Sequence, residues 1–319
     1  MNALKKIANI SLPLLLGVFF VYYAYNQFDE RQIDEMRGYF KNVNYFYLAL
    51  SLVFMKISHA SRAYRWKYSL LYLGYQSSFL NNFMAISVGY LLNLTIPRSG
   101  ELSRAAVLQK YDNIPFDKGF GTIIAERIID LVFLLAFVII TVALQYHYLI
   151  DFISEHIPIT KLIVIAGVLA ILGALGLYLL YTSQWKLFVF IRTKIAGLVE
   201  GVLSIFKMPH RAPFIIHTFI IWIGFVLTFY FGTKALQQTA DISLGVTMVA
   251  FVVGSLAISF TNGGFGAFPL MIAKVLALYG ISLTAGTAFG WILWTTQTIL
   301  VVVLGGLSFL LLPVVNKSK

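Results

Sequence analysis

Cysteine is absent from this chain. That excludes a disulfide framework, a thiolate nucleophile and any cysteine-ligated metal, although it says little about compartment for a membrane protein. Charge is also scarce, with only 13 Asp and Glu and 12% charged residues in 319. A soluble protein of this length would need more charged surface. No GxxxxGK[ST], no HExxH and no Ser-His-Asp spacing occurs, and the five histidines (His59, His147, His156, His210, His217) are scattered without ligand spacing. A hydrolase or an ATP-driven pump is therefore disfavoured, and no cofactor or metal is expected.

Apolar sequence is what the chain has in abundance. It is 59% hydrophobic, with continuous runs near the roughly 20 residues that a helix needs to cross a bilayer. A transmembrane barrel would show short alternating segments instead. The fold class is thus an all-α polytopic membrane protein. The formal charge of +11 does not point to nucleic acid, because the basic residues sit between hydrophobic spans, where they set orientation.

In chain order, Lys5 and Lys6 precede an apolar run, Ile10 to Tyr25, that ends in Tyr22, Tyr23 and Tyr25 without a small-x-small cleavage site. It reads as a retained first span with an interfacial aromatic belt. Gln27 to Asn42 carries Ile33, Met36, Tyr39 and Phe40 at helical spacing and reads as a surface amphipathic helix. A second span runs from Tyr45 to Ala60, and Lys56 within it either snorkels or serves function. Phe79 to Ile96 is apolar but contains Asn81, Asn82, Ser87, Gly89 and Asn93, stops at Pro97 and is basic on both flanks. It is expected to enter and leave on one face, as a re-entrant hairpin whose return limb is Ser99 to Lys110. Spans follow at Glu126 to Tyr148 and Lys161 to Tyr181, joined by an outer loop with Asp151 and Glu155. Ser183 to Ala212 reads as a basic amphipathic helix on an anionic inner leaflet. Pro213 to Leu236 spans again, Ile242 to Phe260 runs into TNGGFGAFP as a second hairpin with Met271 to Tyr279 returning, and Leu283 to Leu312 is the last span.

The expectation is therefore one membrane domain over residues 1–319, with about six full spans and two re-entrant hairpins. The first half, 1–160, holds the hairpin near 79–110, and the second half, 161–319, holds the one near 242–280. With both termini cytoplasmic, 17 of the 24 Lys and Arg fall on the cytoplasmic side and 5 outside, as the positive-inside rule asks. One hairpin then enters from each side of the membrane. That arrangement implies an inverted repeat, the architecture of alternating-access transporters.

Charge concentrates where lipid should lie. Arg98, Glu101, Arg104, Glu126, Arg127 and Asp130 sit beside or within apolar segments, a costly placement whose default reading is functional. In N-L-T-I-P-R-S-G-E-L-S-R, from Asn93 to Arg104, the proline ends one helix and Gly100 permits a turn. Glu101 and Arg104 then fall three apart, spaced for an intrahelical ion pair, and an arginine offers a planar fork to phosphate. The bland alternative, an interfacial loop in water, weighs about the same. Glu126 and Asp130 fall four apart, and Arg127 is read as neutralising them. Arg62, Arg65 and Trp66 read as membrane-interface anchors on lipid phosphates. Gly263 and Gly264, with Gly266, offer backbone to a ligand or allow close packing.

These motifs together are similar to the membrane region of lysylphosphatidylglycerol synthases, a flippase-like family. The elements carrying the resemblance are Arg62-x-x-Arg65-Trp66, the N-x-x-x-P-R-x-G-E-x-x-R block, Glu126-Arg127-x-x-Asp130, and the GGFG at Gly263 to Gly266. The resemblance implies two re-entrant elements and movement of an anionic or aminoacylated phospholipid between leaflets. The family's bifunctional members carry a soluble aminoacyl-transferase domain after this region. The chain ends at Lys319, so lysyl transfer is not expected. The family's glycine block commonly runs on to a glutamate, where this chain has Ala267, Phe268 and Pro269, which puts any role of that acid in doubt.

The expected function is a translocase of a phospholipid or polyprenyl-lipid in the inner membrane. Arg98, Arg104 and Arg127 would hold the head-group phosphate, Glu101, Glu126 and Asp130 would balance charge, and Asn93, Gly263 and Gly264 would line the path. Two alternatives stay open. One is a membrane-embedded lipid transferase with Glu101 or Glu126 as base, and the other is a non-catalytic partner of a glycosyltransferase or lipid synthase. Membrane lipids are the expected partners, and the small-residue helix faces would suit a homodimer.

Overall fold

The structure is a computed structural model that describes residues 15, 17–96, 98–146, 148, 150, 159–193 and 207–317. Among the described residues there are helices and turns and no strands. The chain divides into two compact units, Met1–Glu126 with Ala212–Lys319, and Arg127–Arg211.

The first unit begins with a helical segment at 17–25; the rest of the expected first span lies outside the described residues. Helix α1, Glu30–Lys41, forms the expected amphipathic helix. Its start is set by a capping box, in which Asp29 accepts from the Gln32 N–H and the Gln32 side chain accepts from the Asp29 N–H. Helix α2, Tyr45–Tyr72, is capped by Asn44 and is 28 residues long. This corrects the expected span ending near Ala60, since the helix continues unbroken through Arg62, Arg65 and Trp66.

Helices α3, Phe79–Asn93, and α4, Ser99–Tyr111, form the first hairpin. They approach so closely at Gly89 and Gly100 that a Cβ on Gly89 would lie 3.0 Å from the Gly100 carbonyl oxygen. Helix α5, Phe116–Leu144, follows and runs from the first unit into the second.

In the second unit, α6, Ile159–Thr182, is followed by the helix Lys186–Thr193, α7, bent by 89° from the 171–182 segment. Arg192 Nη2 donates to the Ser183 carbonyl across that bend at 2.7 Å. Helix α7 is the start of the basic helix expected over Ser183 to Ala212. Residues 194–206 and the loop with Asp151 and Glu155 lie outside the described residues.

Back in the first unit, α8, Arg211–Thr233, runs antiparallel to α2. The Asn44 N–H donates to the Ala235 carbonyl at 2.8 Å, and the Ser58 hydroxyl donates to the Ile221 carbonyl at 3.1 Å. Gly224 lets Ser58 approach, the small-residue contact typical of helix packing in lipid. Helices α9, Leu244–Phe260, and α10, Ala267–Leu278, flank the TNGGFG break, and α11, Leu283–Val315, is the long final helix.

Helix α11 orders the two hairpins. Its carboxyl end reaches the open end of the first, where Asn316 Nδ2 donates to Asn81 Oδ1 at 2.9 Å and Asn81 Nδ2 donates to Asp112 Oδ1 at 2.8 Å. Its amino end lies at the open end of the second, where α10 packs antiparallel so tightly that a Cβ on Gly286 would sit 2.9 Å from Ala273 Cα. Helix α11 has 33 residues, a length of about 50 Å at 1.5 Å per residue. The hairpins therefore open at its two opposite ends.

Of the six full spans expected, α5, the helix Arg211–Thr233 and α11 are long and apolar enough to cross a membrane among the described residues. Helices α9 and α10 are shorter and apolar, as hairpin limbs should be.

Candidate functional site

A buried charge cluster lies where α2, α3, α4 and the first turns of α5 meet. Trp66 sits at its centre among Ala63, Leu70, Ala85, Ile86, Ala105, Leu108 and Ile123. The Trp66 indole N–H donates to Thr122 Oγ1 at 2.9 Å, satisfying the one polar atom of a fully buried ring. The Arg104 guanidinium lies over that ring, with Cζ 4.1 Å from the centroid, and Arg104 Nη2 donates to Glu126 Oε2 at 2.8 Å. Arg65 Nε stands 3.5 Å from Glu126 Oε1, and Arg65 Nη1 donates to Thr218 Oγ1 at 3.4 Å. Exposure is 1% for Glu126, 4% for Arg104 and 0% for Arg65.

Each placement has a local cause. Thr122 and Glu126 are four apart, so α5 presents both on one face. Gly89 lets the Arg104 stem pass, since a Cβ there would lie 3.1 Å from Arg104 Cγ. Two guanidiniums face the Glu126 carboxyl group from α2 and α4, and the indole face gives Arg104 a further favourable contact.

One expectation is corrected here. Arg62, Arg65 and Trp66, read as lipid-facing anchors, are interior, at 3%, 0% and 0% exposure. Their charge is accommodated by neighbouring helices, which the linear sequence does not show. Arg104, spaced three residues from Glu101 on its own helix, also reaches off that helix to Glu126, a partner the local spacing does not show. Glu101 lies in the first turn of α4 and is half-buried. In the second unit Arg127 Nη1 is 4.0 Å from Asp130 Oδ2, three residues on in α5, while the described ion pairs of Glu126 are with Arg65 and Arg104.

The second feature is the meeting of the two helix breaks. Asn262, just past the end of α9, donates from Nδ2 to the Leu94 carbonyl at 2.8 Å, directly past the end of α3. A Cβ on Gly263 would lie 2.8 Å from Leu94 Cδ2, and Gly263 has a φ of 63°. The left-handed backbone favours glycine at that position. The Gly263 carbonyl accepts from the Trp294 indole at 2.8 Å, and Gly264, φ 80°, continues the turn.

Asn93 has a definite local job. Its Oδ1 accepts the Gly100 N–H at 2.8 Å and so caps α4, whose own N-cap, Arg98, supplies no side-chain bond. Arg98 has a φ of 61°, a left-handed conformation unusual for a residue with a Cβ. It is exposed and, among the described residues, makes no ion pair, so it stands apart from the Arg104–Glu126 cluster. Thr122, Thr218, Leu94 and Trp294 were not singled out from the sequence. Only the spacing of Thr122 to Glu126 carried a usable signal.

Apolar helices long enough to cross a bilayer, with two helical hairpins whose tips meet, are the features of an integral membrane protein. The chain matches the lysylphosphatidylglycerol synthase TM region over residues 10–306 and belongs to that family. It is also similar to a UPF0104 membrane protein of Methanocaldococcus jannaschii, 28% identical over 113 residues. That match covers 34% of this chain and 34% of the relative, so it spans about a third of the relative's length. No solved structure matches the chain.

Proposed function

We propose that the protein is a flippase-like lipid translocase, moving a phospholipid or a lipid-linked anionic head group between leaflets of the inner membrane, with both termini cytoplasmic. The observation that carries this reading is the Asn262 to Leu94 bond between two helix breaks. Helix α3 has 15 residues and rises about 22 Å, so its tip lies deep within a hydrocarbon layer of about 30 Å. Irregular backbone at such depth is tolerated only inside protein or along a water-filled cavity. Paired breaks at mid-membrane, from hairpins opening at opposite ends of one long helix, are how alternating-access carriers build a substrate path.

In this proposal Arg98, exposed at the first tip, receives the head-group phosphate. The acyl or prenyl tails remain in the bilayer, so no free charge is buried in transit. Arg104, Glu126 and Arg65 act one step back, fixing α4 against α2 and α5 so that the tip keeps its place.

The test is leaflet exchange of labelled anionic, zwitterionic and polyprenyl-phosphate lipids in proteoliposomes. Exchange of an anionic or polyprenyl-phosphate lipid, lost in Arg98→Ala and partly kept in Arg98→Lys, is the expected result. Absence of exchange for every lipid, from folded protein, overturns it in favour of a lipid transferase or a non-catalytic partner.

A further inference from the structure

We infer that the break between α9 and α10 is a binding site for a small monovalent metal cation, assembled from Asn262 Oδ1 and the last carbonyl oxygens of α9. Asn262 is 5% exposed, and its amide orientation is fixed because only Nδ2 can donate to the Leu94 carbonyl. Its Oδ1 is then a buried acceptor with no hydrogen-bond partner among the described residues. Buried polar atoms are nearly always satisfied, so this oxygen calls for a ligand.

The last carbonyls of α9, which directly precede Asn262 in the chain, can supply further oxygens. Those of Ala257, Ile258, Ser259 and Phe260 end the helix and lack intrahelical partners. The Thr261 hydroxyl donates to the Ala257 carbonyl at 2.6 Å. In the loop that follows, Phe265 donates to the Asn262 carbonyl, and Phe268, in the first turn of α10, to that of Gly264. The other three α9 carbonyls receive no described backbone bond. A helix carboxyl end is also the negative pole of its dipole.

The donor set decides the class of ion. It is all oxygen and carries no formal charge, and among the described residues no group of three His, Cys, Asp or Glu gathers to hold a metal. Transition metals would need nitrogen or sulfur, and calcium or magnesium sites are built on carboxylates. Neutral amide and carbonyl oxygens at an unwound helix fit sodium or a similar monovalent ion.

Occupancy has a mechanical consequence, because one side chain serves both tips. A cation on Oδ1 orders the amide whose Nδ2 holds Leu94, and so favours the state in which the tips are joined. Coupling of a cation gradient to lipid movement follows, and that part rests on the translocase reading; binding itself does not.

The experiment is a sodium titration of the purified full chain in detergent, against choline at constant ionic strength, read by thermal unfolding and by tryptophan fluorescence. Trp294 reports on the break directly. A saturable upward shift in Tm with sodium and not with choline is expected, lost in Asn262→Leu and strengthened in Asn262→Asp, which adds charge to the same oxygen. Asn316→Ala, at the far end of α11, controls for general destabilisation and keeps the sodium response. An unmodified protein without a saturable sodium response, or an equal response in Asn262→Leu, overturns the site. If the sodium shift is present while no lipid exchanges in proteoliposomes, the site stands and the translocase reading falls.

Discussion

Arg104 and Glu126, 22 residues apart in the chain, meet at 2.8 Å with both side chains nearly excluded from solvent. Removing one member of such a cluster strands its partner's charge, whereas removing Glu126 together with Arg104 and Arg65, the two guanidiniums that face it, leaves an apolar contact. Arg104→Ala or Glu126→Ala alone should therefore cost about 3–5 kcal/mol of stability. The triple variant Arg65→Met, Arg104→Met, Glu126→Leu, which removes the carboxylate with both guanidiniums that face it, should recover most of that loss. Thermal and denaturant unfolding in detergent measures both. If the recovered triple variant also exchanges lipid, the cluster positions the hairpin; if it is folded and inactive, one of its arginines acts on the lipid directly.

Arg98 separates stability from activity. A left-handed φ costs a residue with a Cβ about 1–2 kcal/mol, and glycine removes that cost. Arg98→Gly should raise the unfolding midpoint while lowering anionic-lipid exchange. A parallel loss of both would mean that the side chain holds the fold.

The glycine contacts give a graded series. Gly290→Ala would place a Cβ 2.6 Å from Pro269 Cα, between α10 and α11, and backbone cannot move aside cheaply. A loss of about 1–3 kcal/mol is expected. Gly100→Ala meets the Gly89 carbonyl in the first hairpin and should behave the same way. Gly38 has nothing within 4 Å of its added Cβ and lies inside α1, so Gly38→Ala should stabilise, by about 0.5–1 kcal/mol.

Tyr39, on surface helix α1, donates its hydroxyl to Glu35, whose other oxygen accepts from Thr284 at the start of α11. Partial burial, and then the Glu35 hydrogen bond and charge, push the phenol above its usual 10.0. The folded pKa is the higher one, so the contribution of Tyr39 is fully present below the unfolded value and is lost as pH rises through the folded value. Stability should be insensitive to Tyr39→Phe in its pH dependence near neutrality and differ only above about pH 10. Phenolate difference spectroscopy of the two proteins checks this.

The sequence by itself determined the class of this protein, the long apolar helices and the places where helices break. Pro97 and the run Thr261 to Gly266 mark both interruptions because ring geometry and missing side chains act locally, whatever surrounds them. The capping residues of α1 and the amphipathic spacing after Gln27 are local in the same sense. The tertiary structure alone decided the partners. Arg62, Arg65 and Trp66 look like an interfacial cluster along the chain, whereas in the fold Glu126 and Thr218 face Arg65, and Thr122 faces Trp66, from other helices. Arg104 illustrates the same rule, with a plausible partner three residues away and its strongest described one on another helix. Asn262 and Leu94 are 168 positions apart, and no periodicity reports such a contact. Helix breaks are written in backbone chemistry that each residue carries with it, whereas the cost of a buried charge depends on what the fold brings to it.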